Sequence, residues 1–258
     1  MVKKILSILL WFLTAAAIIT VLIVGRYRYR NAPIKNIVIN KECDSQGSFI
    51  NDSLIAASLL PLCDTGVSKV KDIDLVKIKD TLESNPWIES ANVFTGVDRE
   101  LNINIKEHRA ALRIFNNEGL SAYVSPEGHI FPTSDVTTPR VIIASGNFGN
   151  LGSREGLLND SIPQHRLIKE ALAIALSLDK NEFMKACIGQ IHLNGDNEFE
   201  LIPNTNKSIP ILVGNSDNID HKMLITSIFL KEKINTEELN TYSNLNAKFR
   251  NQIVCTKK

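Results

Sequence analysis

Cysteine is scarce in this chain, and its spacing excludes the common structural metal sites. The four cysteines, Cys43, Cys63, Cys187 and Cys255, include no C-x-x-C pair and no other zinc spacing. Scattered cysteines are most often buried free thiols. Because Cys43 and Cys63 bracket the first predicted helix, a disulfide between them in an oxidising compartment is the open alternative. That bond would stabilise the fold and carry no chemistry.

Familiar catalytic patterns are missing as well. The histidines show neither H-x-x-H nor H-E-x-x-H spacing, so the sequence predicts no metal site. It contains no G-x-S-x-G turn of the α/β hydrolases and no G-x-x-x-x-G-K-[ST] phosphate loop. Gly146, Gly149 and Gly152 are interpreted as parts of a loop, and adjacent Glu237 and Glu238 as solvated surface. The residues therefore nominate no catalytic residue and no cofactor.

Acidic residues are absent from the first 30 positions. Five of the 29 basic residues lie there, and all 28 acidic residues lie beyond, so the rest of the chain carries a net charge of −4. This charge argues against a nucleic-acid partner. The roughly 225 remaining residues are too many for one small domain and suit two modest ones, each able to bury a core.

One long apolar segment is present, near the N-terminus. Residues 5–24 contain no charge, and only Ser7, Thr14 and Thr20 are polar. At about 1.5 Å per residue, a helix of this length spans about 30 Å, the thickness of the hydrocarbon core of a bilayer. A transmembrane helix is therefore predicted over residues 5–25. Its membrane-spanning residues include Ile5, Trp11 and Val24.

Two alternatives concern this helix. A cleaved signal peptide would share the basic start, but the apolar run is too long and no small-x-small site precedes Arg26. The orientation stays open, because the arginines at positions 26, 28 and 30 would face the cytoplasm under the positive-inside rule. The predicted topology opposes that rule: residues 1–4 form a cytoplasmic tail, and residues 26–33 form a linker on the other side of the membrane.

A small α+β unit is predicted over residues 34–108. A strand begins near Ile34, residues 54–60 form a short helix, and Asp74 is the expected N-cap of a second helix that ends at the next proline. Two strands follow, and the second, residues 101–105, has the clearest alternation of apolar and polar residues in the chain. The two helices can cover one face of this three-stranded sheet.

Residues 109–258 are predicted to form a β-rich domain with two helices, starting with a β-meander. Ser161 and Gln164 fit a capping box that opens the first helix, and the second begins near Asp220. The last element is a strand at residues 249–255, of the kind that lies at a sheet edge with unpaired backbone groups. Three strands lie between the two helices, at residues 187–193, 199–202 and 209–213.

This order of elements resembles the FtsQ/DivIB cell-division family, and the small unit resembles its POTRA domain. The most specific stretch is Asn85-Pro86-Trp87-Ile88, together with residues 101–110 at the end of the small unit. Residues 123–132 are similar to the hairpin that opens the β domain of the family, and residues 251–255 to its terminal strand. The family often has an arginine after the leucine at position 245, where this chain has an asparagine.

The resemblance implies both a fold and a role. The fold is α+β: a single N-terminal transmembrane helix, a POTRA-like domain over residues 34–108 and a β-rich FtsQ/DivIB-type domain over residues 109–258. The role is that of a non-enzymatic divisome scaffold, anchored in the lipid bilayer of the inner membrane, with its domains in the periplasm at the division septum. It would link early division proteins to septal peptidoglycan synthesis. The expected partners are FtsB/FtsL-like coiled-coil proteins, septal cell-wall synthases and other divisome members.

The C-terminal edge strand is the predicted partner-binding site. A partner segment that adds a strand there gains main-chain hydrogen bonds, and its alternate side chains set the register. Basic residues at this edge would meet acidic partner residues, although lysine at an edge strand also serves to block unwanted pairing. The candidate binding residues are Tyr242, Leu245, Lys248, Phe249, Arg250, Gln252 and Val254.

Two other functions stay open. A POTRA-type periplasmic chaperone for outer-membrane or secreted proteins would account for the small unit, but such proteins usually carry several copies or a C-terminal barrel, and neither is recognised here. A membrane-anchored periplasmic hydrolase would need a nucleophile and a base, and no motif supplies them. Turnover of peptidoglycan fragments would identify the hydrolase.

Overall fold

The computed structural model divides into two compact units. The first unit contains Met1–Cys43 and Ile50–Glu107, and the second contains Asp44–Phe49 and His108–Lys258. Each unit has its own sheet and is described by itself. The residues that the structure describes are 2–42, 46–149, 156–159, 161–204, 209–233 and 236–258.

The first unit begins with a long helix, α1 (Val2–Asn31). Its segment Leu9–Asn31 has a mean hydropathy of 2.1 and no buried side chains, which gives it the length and composition of a membrane span. Trp11 and Val24 are exposed within it, as expected of side chains that face lipid. The side chain of Ile5 lies outside the described ones. The predicted single apolar helix near the N-terminus is confirmed.

Residues 26–33 do not form the separate linker that the sequence predicted. The helix α1 continues to Asn31, because the first helix-stopping residue of this stretch is Pro33. The Tyr29 hydroxyl donates a hydrogen bond of 2.7 Å to the Gly96 carbonyl oxygen. The end of α1 is therefore tied to the folded part of its own unit.

The rest of the first unit follows the predicted order of strand, helix, helix, strand, strand. The strands form a sheet of order β1-β3-β2, with β1 parallel and β2 antiparallel to β3. Asp74 caps the second helix as predicted, since its carboxylate accepts a hydrogen bond of 3.0 Å from the Lys77 N–H. The elements are β1 (Asn36–Glu42), α2 (Asp52–Leu59), α3 (Leu75–Glu83), β2 (Ile88–Thr95) and β3 (Glu100–Glu107), with a 3-10 helix (Val70–Asp72) before α3.

The core of this unit lies on one face of the sheet. Alternate residues of β3, Leu101, Ile103 and Ile105, are at most 1% exposed. In β2 an irregularity after Ile88 changes the phase of the strand, so that Ile88 and Ala91 are both buried at a spacing of three. Apolar side chains of the two helices complete the core: Ile55, Leu59, Ile78 and Leu82.

One ten-stranded sheet forms the second unit within the described residues, in the order β13-β12-β11-β10-β9-β7-β4-β5-β6-β8. The strands β4, β5 and β6 form the predicted antiparallel meander, whereas β4, β7 and β9 run parallel. The strands are β4 (Leu112–Asn116), β5 (Ser121–Val124), β6 (His129–Pro132), β7 (Ile142–Gly146), β8 (Gly156–Leu157), β9 (Ile188–Leu193), β10 (Phe199–Pro203), β11 (Ile211–Gly214), β12 (Tyr242–Asn246) and β13 (Val254–Lys257).

Helices α4 (Pro163–Asp179), α5 (Glu182–Cys187) and α6 (Ile219–Lys233) pack on one face of this sheet, and a 3-10 helix (Glu237–Thr241) precedes β12. The core between the helices and the sheet contains side chains with no exposed surface, such as Ile168 of α4 and Ile191 of β9. Burying an aliphatic side chain of this size contributes about 1.5–3 kcal/mol to folding. The α+β architecture predicted from the sequence is confirmed.

The helix α5 was missed by the sequence analysis, which placed Cys187 at the start of a strand. The Asn181 side chain accepts a hydrogen bond of 3.2 Å from the Met184 N–H, and this cap begins the helix. Cys187 is the last residue of α5, and β9 follows at the next position. A helix of six residues is too short to give a recognisable periodicity.

The capping box predicted at Ser161 and Gln164 is wrong. The helix α4 begins at Pro163, with Ile162 at the N-cap position and no side-chain cap. Proline at the first helical position is pre-organised for the helix and lacks the N–H that would need a partner there. The start of α4 is therefore set by Pro163.

Two predictions reach outside the described residues. Cys43 is not described, so the disulfide that was considered between Cys43 and Cys63 stays a prediction. Cys63 itself is 2% exposed, and burial, followed by the neighbouring Asp64 carboxylate, raises the pKa of its thiol. Of the glycines that were interpreted as parts of a loop, Gly146 is instead the last residue of β7, Gly149 lies after it, and Gly152 is outside the described residues.

Candidate partner-binding edge

The strands β12 and β13 form a hairpin at one end of the large sheet. Their register pairs Leu245 with Cys255 and Asn246 with Val254. On its other side β12 pairs in parallel with β11. Because β13 is last in the strand order, no described strand pairs with its outer side, which makes it an open edge.

The backbone of the hairpin determines which groups face outward. The N–H groups of Leu245 and Ala247 donate to the carbonyl oxygens of Pro210, just before β11, and of Leu212 within it. The N–H and C=O of Asn246 therefore point towards β13. Asn246 therefore exchanges hydrogen bonds with Val254, and the N–H and C=O of Cys255 point away from β12. By the same alternation the N–H of Lys257 points outward. The open edge thus presents two N–H donors for another strand.

The terminal strand lies later in the sequence than predicted. A strand was expected over residues 249–255, but β13 begins at Val254 and a turn precedes it. Asn251 in that turn has a φ of 62°, a left-handed conformation that asparagine tolerates better than most residues. Phe249 and Gln252, which were expected within the strand, lie before it.

The predicted binding residues differ in exposure. Phe249 and Val254 are apolar and exposed, at 48% and 43%. Arg250 and Gln252 are exposed as well. Leu245, in contrast, is 1% exposed and packs in the core. The prediction that Leu245 contacts a partner is therefore corrected: it faces inward because its row of side chains lies on the helix-covered face of the sheet.

Lys248 is held by its own domain. Its ammonium group donates hydrogen bonds of 2.8 Å and 3.1 Å to the two carboxylate oxygens of Glu198. Gly214 lies directly under the Lys248 side chain: a Cβ at this position would come within 2.8 Å of the Lys248 Cδ atom, and the φ of Gly214 is +73°. Glycine at position 214 thus lets Lys248 lie against the sheet.

Tyr242 begins β12 and is linked to the preceding 3-10 helix. Its hydroxyl donates a hydrogen bond of 3.3 Å to Glu238, whose other carboxylate oxygen lies 2.5 Å from the Lys233 ammonium group. Desolvation, then the Glu238 charge, raises the pKa of Tyr242. The hydrogen bond from Lys233 lowers the pKa of Glu238. This short network positions the start of the hairpin.

A cavity of about 360 Å³ lies beside the turn between β12 and β13. Its residues come from the start of α6 and from the turn, and four of the six are basic or histidine. Lys222 donates hydrogen bonds of 2.8 Å and 2.9 Å to the carbonyl oxygens of Val213 and Asn215. Burial lowers the pKa of Lys222, and nearby carboxylates, first that of Asp217, oppose this shift. The lining residues are Asn218, His221, Lys222, Lys248, Phe249 and Arg250.

A family model described as FtsQ/DivIB, C-terminal related, matches residues 110–256. This match spans more than half of the chain and includes the hairpin. The chain belongs to this family. No curated protein matches the chain. The resemblance seen in the sequence is thereby confirmed, and family membership carries a general role in bacterial cell division.

The FtsQ/DivIB match does not extend to the first unit. The resemblance of that unit to a POTRA domain therefore stays a prediction, although its elements have the predicted order. The open edge at β13 lies almost entirely within the matched residues, which end at Thr256. The candidate binding site thus belongs to the part of the chain that the family shares.

The structure also joins a serine and a histidine that the sequence did not connect. In this FtsQ/DivIB-family chain the Ser145 hydroxyl lies 3.0 Å from the His192 Nδ1 atom, on neighbouring strands. Gln190 donates a second hydrogen bond to the same hydroxyl. Ser145 lies next to the end of β7 and is paired with neighbouring strands on both sides, so the nearby backbone N–H groups serve the sheet rather than an oxyanion. The pair is consistent with a polar contact on the sheet face.

Proposed function

We propose that this FtsQ/DivIB-family chain is a non-enzymatic scaffold of the divisome. It is anchored in the inner membrane by α1, with the folded units in the periplasm and concentrated at the division septum. There it links early division proteins to septal peptidoglycan synthesis. The observation that carries the proposal is the open edge of β13, which lies in the matched region and presents unpaired main-chain groups.

The proposed mechanism is strand addition by FtsB/FtsL-like coiled-coil division proteins. An extended partner segment pairs with the outward N–H and C=O groups of Cys255 and with the outward N–H of Lys257. A hydrogen bond of this kind contributes about 0.5–1.5 kcal/mol net, so the short edge by itself gives only modest affinity. Side chains must supply the rest, and exposed Phe249 and Val254 are the apolar candidates beside the edge.

Charge supplies specificity in this proposal. The cavity beside the turn carries an excess of positive groups, which favours a partner with acidic residues next to its pairing segment. Lys248 already bonds to Glu198, whereas no described residue pairs with the Arg250 guanidinium group. Arg250 is therefore the first candidate for a partner carboxylate, which it can bind through two parallel hydrogen bonds.

The role is tested in dividing cells by a fluorescent fusion at the N-terminus combined with depletion of the native protein. A ring at mid-cell, with filamentous cells on depletion, is the expected result. A uniform envelope signal with normal division would contradict the scaffold and favour the periplasmic chaperone. Turnover of purified peptidoglycan fragments that is lost in Ser145→Ala would instead favour the hydrolase.

A further inference from the structure

A cavity of about 700 Å³ lies in the second unit, apart from the terminal hairpin. It opens where the parallel strands β4, β7 and β9 begin, next to the C-terminal end of α4. Small-molecule sites in proteins commonly have volumes of about 300–1,000 Å³. The volume of the cavity therefore suits a small ligand.

Part of the cavity wall is apolar, and the rest is polar or charged. Ala111, Val141 and Ile142 line it from the strand side, and Leu176 of α4 and Ile188 of β9 complete the apolar surface. Gly189, also in the lining, leaves the wall without a side chain at that position. Such walls lower the local dielectric constant, which strengthens the attraction between a charged side chain and a ligand of opposite charge.

The lining of this cavity carries more positive than negative charge. Three cationic side chains, Arg109, Arg140 and Lys185, line it together with one carboxylate, that of Asp179. One Asp179 oxygen lies 2.5 Å from the Lys185 ammonium group, and the other lies 4.0 Å from the Arg109 guanidinium group. The single carboxylate is therefore shared between two cations.

Arg140 is the cation that this arrangement leaves available. It is exposed two residues before β7, and no described residue forms an ion pair or hydrogen bond with its guanidinium group. A guanidinium group matches the geometry of a carboxylate or a phosphate through two parallel N–H donors. Asp179 would repel a second negative charge, which favours a ligand with a single oxyanion.

We propose that this cavity binds a small ligand that carries one oxyanion, a carboxylate or a phosphate, on a body that covers the apolar wall. Arg140 binds the oxyanion, Arg109 adds positive charge, and Asp179 limits the charge that the site accepts. This site is separate from the open edge of β13. A variant that abolishes ligand binding in the cavity should leave strand addition at β13 intact, and the reverse also holds. The two proposals are therefore tested independently.

The test uses the full chain in lipid nanodiscs and isothermal titration calorimetry. The probes are N-acetyl-alanyl-alanine with a free carboxylate, the same dipeptide as its C-terminal amide, and inorganic phosphate. We expect the free carboxylate to bind at least tenfold more tightly than the amide. Displacement of the dipeptide by phosphate would show a general oxyanion site, and failure to displace it would show preference for a carboxylate on an apolar body.

Variants locate the site. Arg140→Gln should weaken binding of the dipeptide carboxylate at least tenfold, whereas Arg166→Gln removes the same charge from an exposed position of α4 outside the cavity and should leave binding unchanged. Asp179→Asn should tighten binding, a gain that a merely damaged fold cannot produce. Equal binding of acid and amide, no binding of either at about 10 mM, or equal affinities of wild type and Arg140→Gln would overturn the proposal.

Discussion

Lys248 and Arg250 lie two positions apart and carry the same charge, but their surroundings differ. The Lys248 side chain is about one-third exposed and bonds to Glu198, which is exposed to a similar extent. A pair of this kind is worth roughly 0–1 kcal/mol, and its main effect here is to fix the lysine beside the sheet. Arg250 is exposed, with no ion pair among the described residues. The sequence predicted both as partner-binding residues. The hydrogen bonds from Lys248 to Glu198 distinguish the two in the structure.

The charge of Arg250 should therefore affect partner binding more than that of other surface arginines. Arg250→Glu is expected to weaken association with an FtsB/FtsL-like partner at least tenfold at low salt, mainly by slowing association. The effect should shrink as the salt concentration rises. Surface plasmon resonance on the full chain measures both rates. Arg166→Glu is the matched control, and equal effects of the two variants would argue against an acidic partner at the turn.

The outward N–H of Lys257 provides a second test that concerns a single residue. Lys257→Pro removes that donor while leaving the pairing of Val254 with Asn246, so partner affinity should fall about tenfold. Lys257→Ala removes the same charge but keeps the N–H, and its affinity should stay within about twofold of wild type. The dissociation constants of the two variants are compared by calorimetry. If alanine and proline weaken binding equally, the main chain of β13 is not the contact.

At the scale of single elements, the helix caps explain both the successes and the failures of the sequence analysis. Asp74 was identified because an aspartate before an apolar pattern is a strong N-cap signal, and the structure confirms it. Ser161 gave a similar signal, but Pro163 begins that helix instead. The cap of α5 at Asn181 was missed because the helix after it is too short for its pattern to be seen.

Loss of the Asp74 cap should destabilise the first unit. In Asp74→Ala the N–H of Lys77 loses its side-chain acceptor, and the expected loss in free energy of unfolding is about 1 kcal/mol. Asp80→Ala, at an exposed position within the same helix, removes the same charge without removing a cap and serves as the control. Denaturant titration of the full chain gives both values. Equal losses would mean that charge, and not capping, is responsible.

His165 in the first turns of α4 should make the second unit sensitive to acid. It is 4% exposed, and its Nδ1 atom accepts a hydrogen bond of 2.9 Å from the Asn159 N–H, which requires an unprotonated Nδ1. Burial, and then the charge of Lys169, lowers the pKa of His165. The unfolded chain therefore takes up the proton first, so stability is complete above the unfolded pKa of about 6.5 and falls as the pH drops below it.

The test is the melting temperature of the second unit, measured between about pH 7.5 and pH 5, where an ordinary histidine titrates. In His165→Gln the side chain no longer titrates, and the decrease in melting temperature towards low pH should be smaller. His221→Gln changes an exposed histidine of α6 and should keep the wild-type decrease. An unchanged slope in His165→Gln would assign the acid sensitivity to other groups.

At the scale of the whole molecule, the sequence predicted what depends on local pattern and missed what depends on pairing. The apolar helix follows from the length of its apolar run, and the order of elements in the first unit follows from hydrophobic periodicity and from the local cap and proline signals. The parallel pairing of β4, β7 and β9 joins segments far apart in the chain, and no local pattern encodes it. The inward position of Leu245 likewise follows from its pairing with Ile211 on β11. The open sheet edge lies at the C-terminal strand, as predicted, but that strand begins only after the turn at Asn251, and partner binding at this edge stays a prediction.

Hydrogen–deuterium exchange at the open edge tests the central claim most directly. The full chain in nanodiscs is compared with and without an FtsB/FtsL-like partner, and exchange is followed at the outward amides of Cys255 and Lys257. Strand addition predicts that both amides exchange quickly in the free protein and at least tenfold more slowly in the complex. The Val254 amide, which already bonds to β12, should change less. A stable complex in which the Cys255 and Lys257 amides exchange as fast as in the free protein would contradict the account.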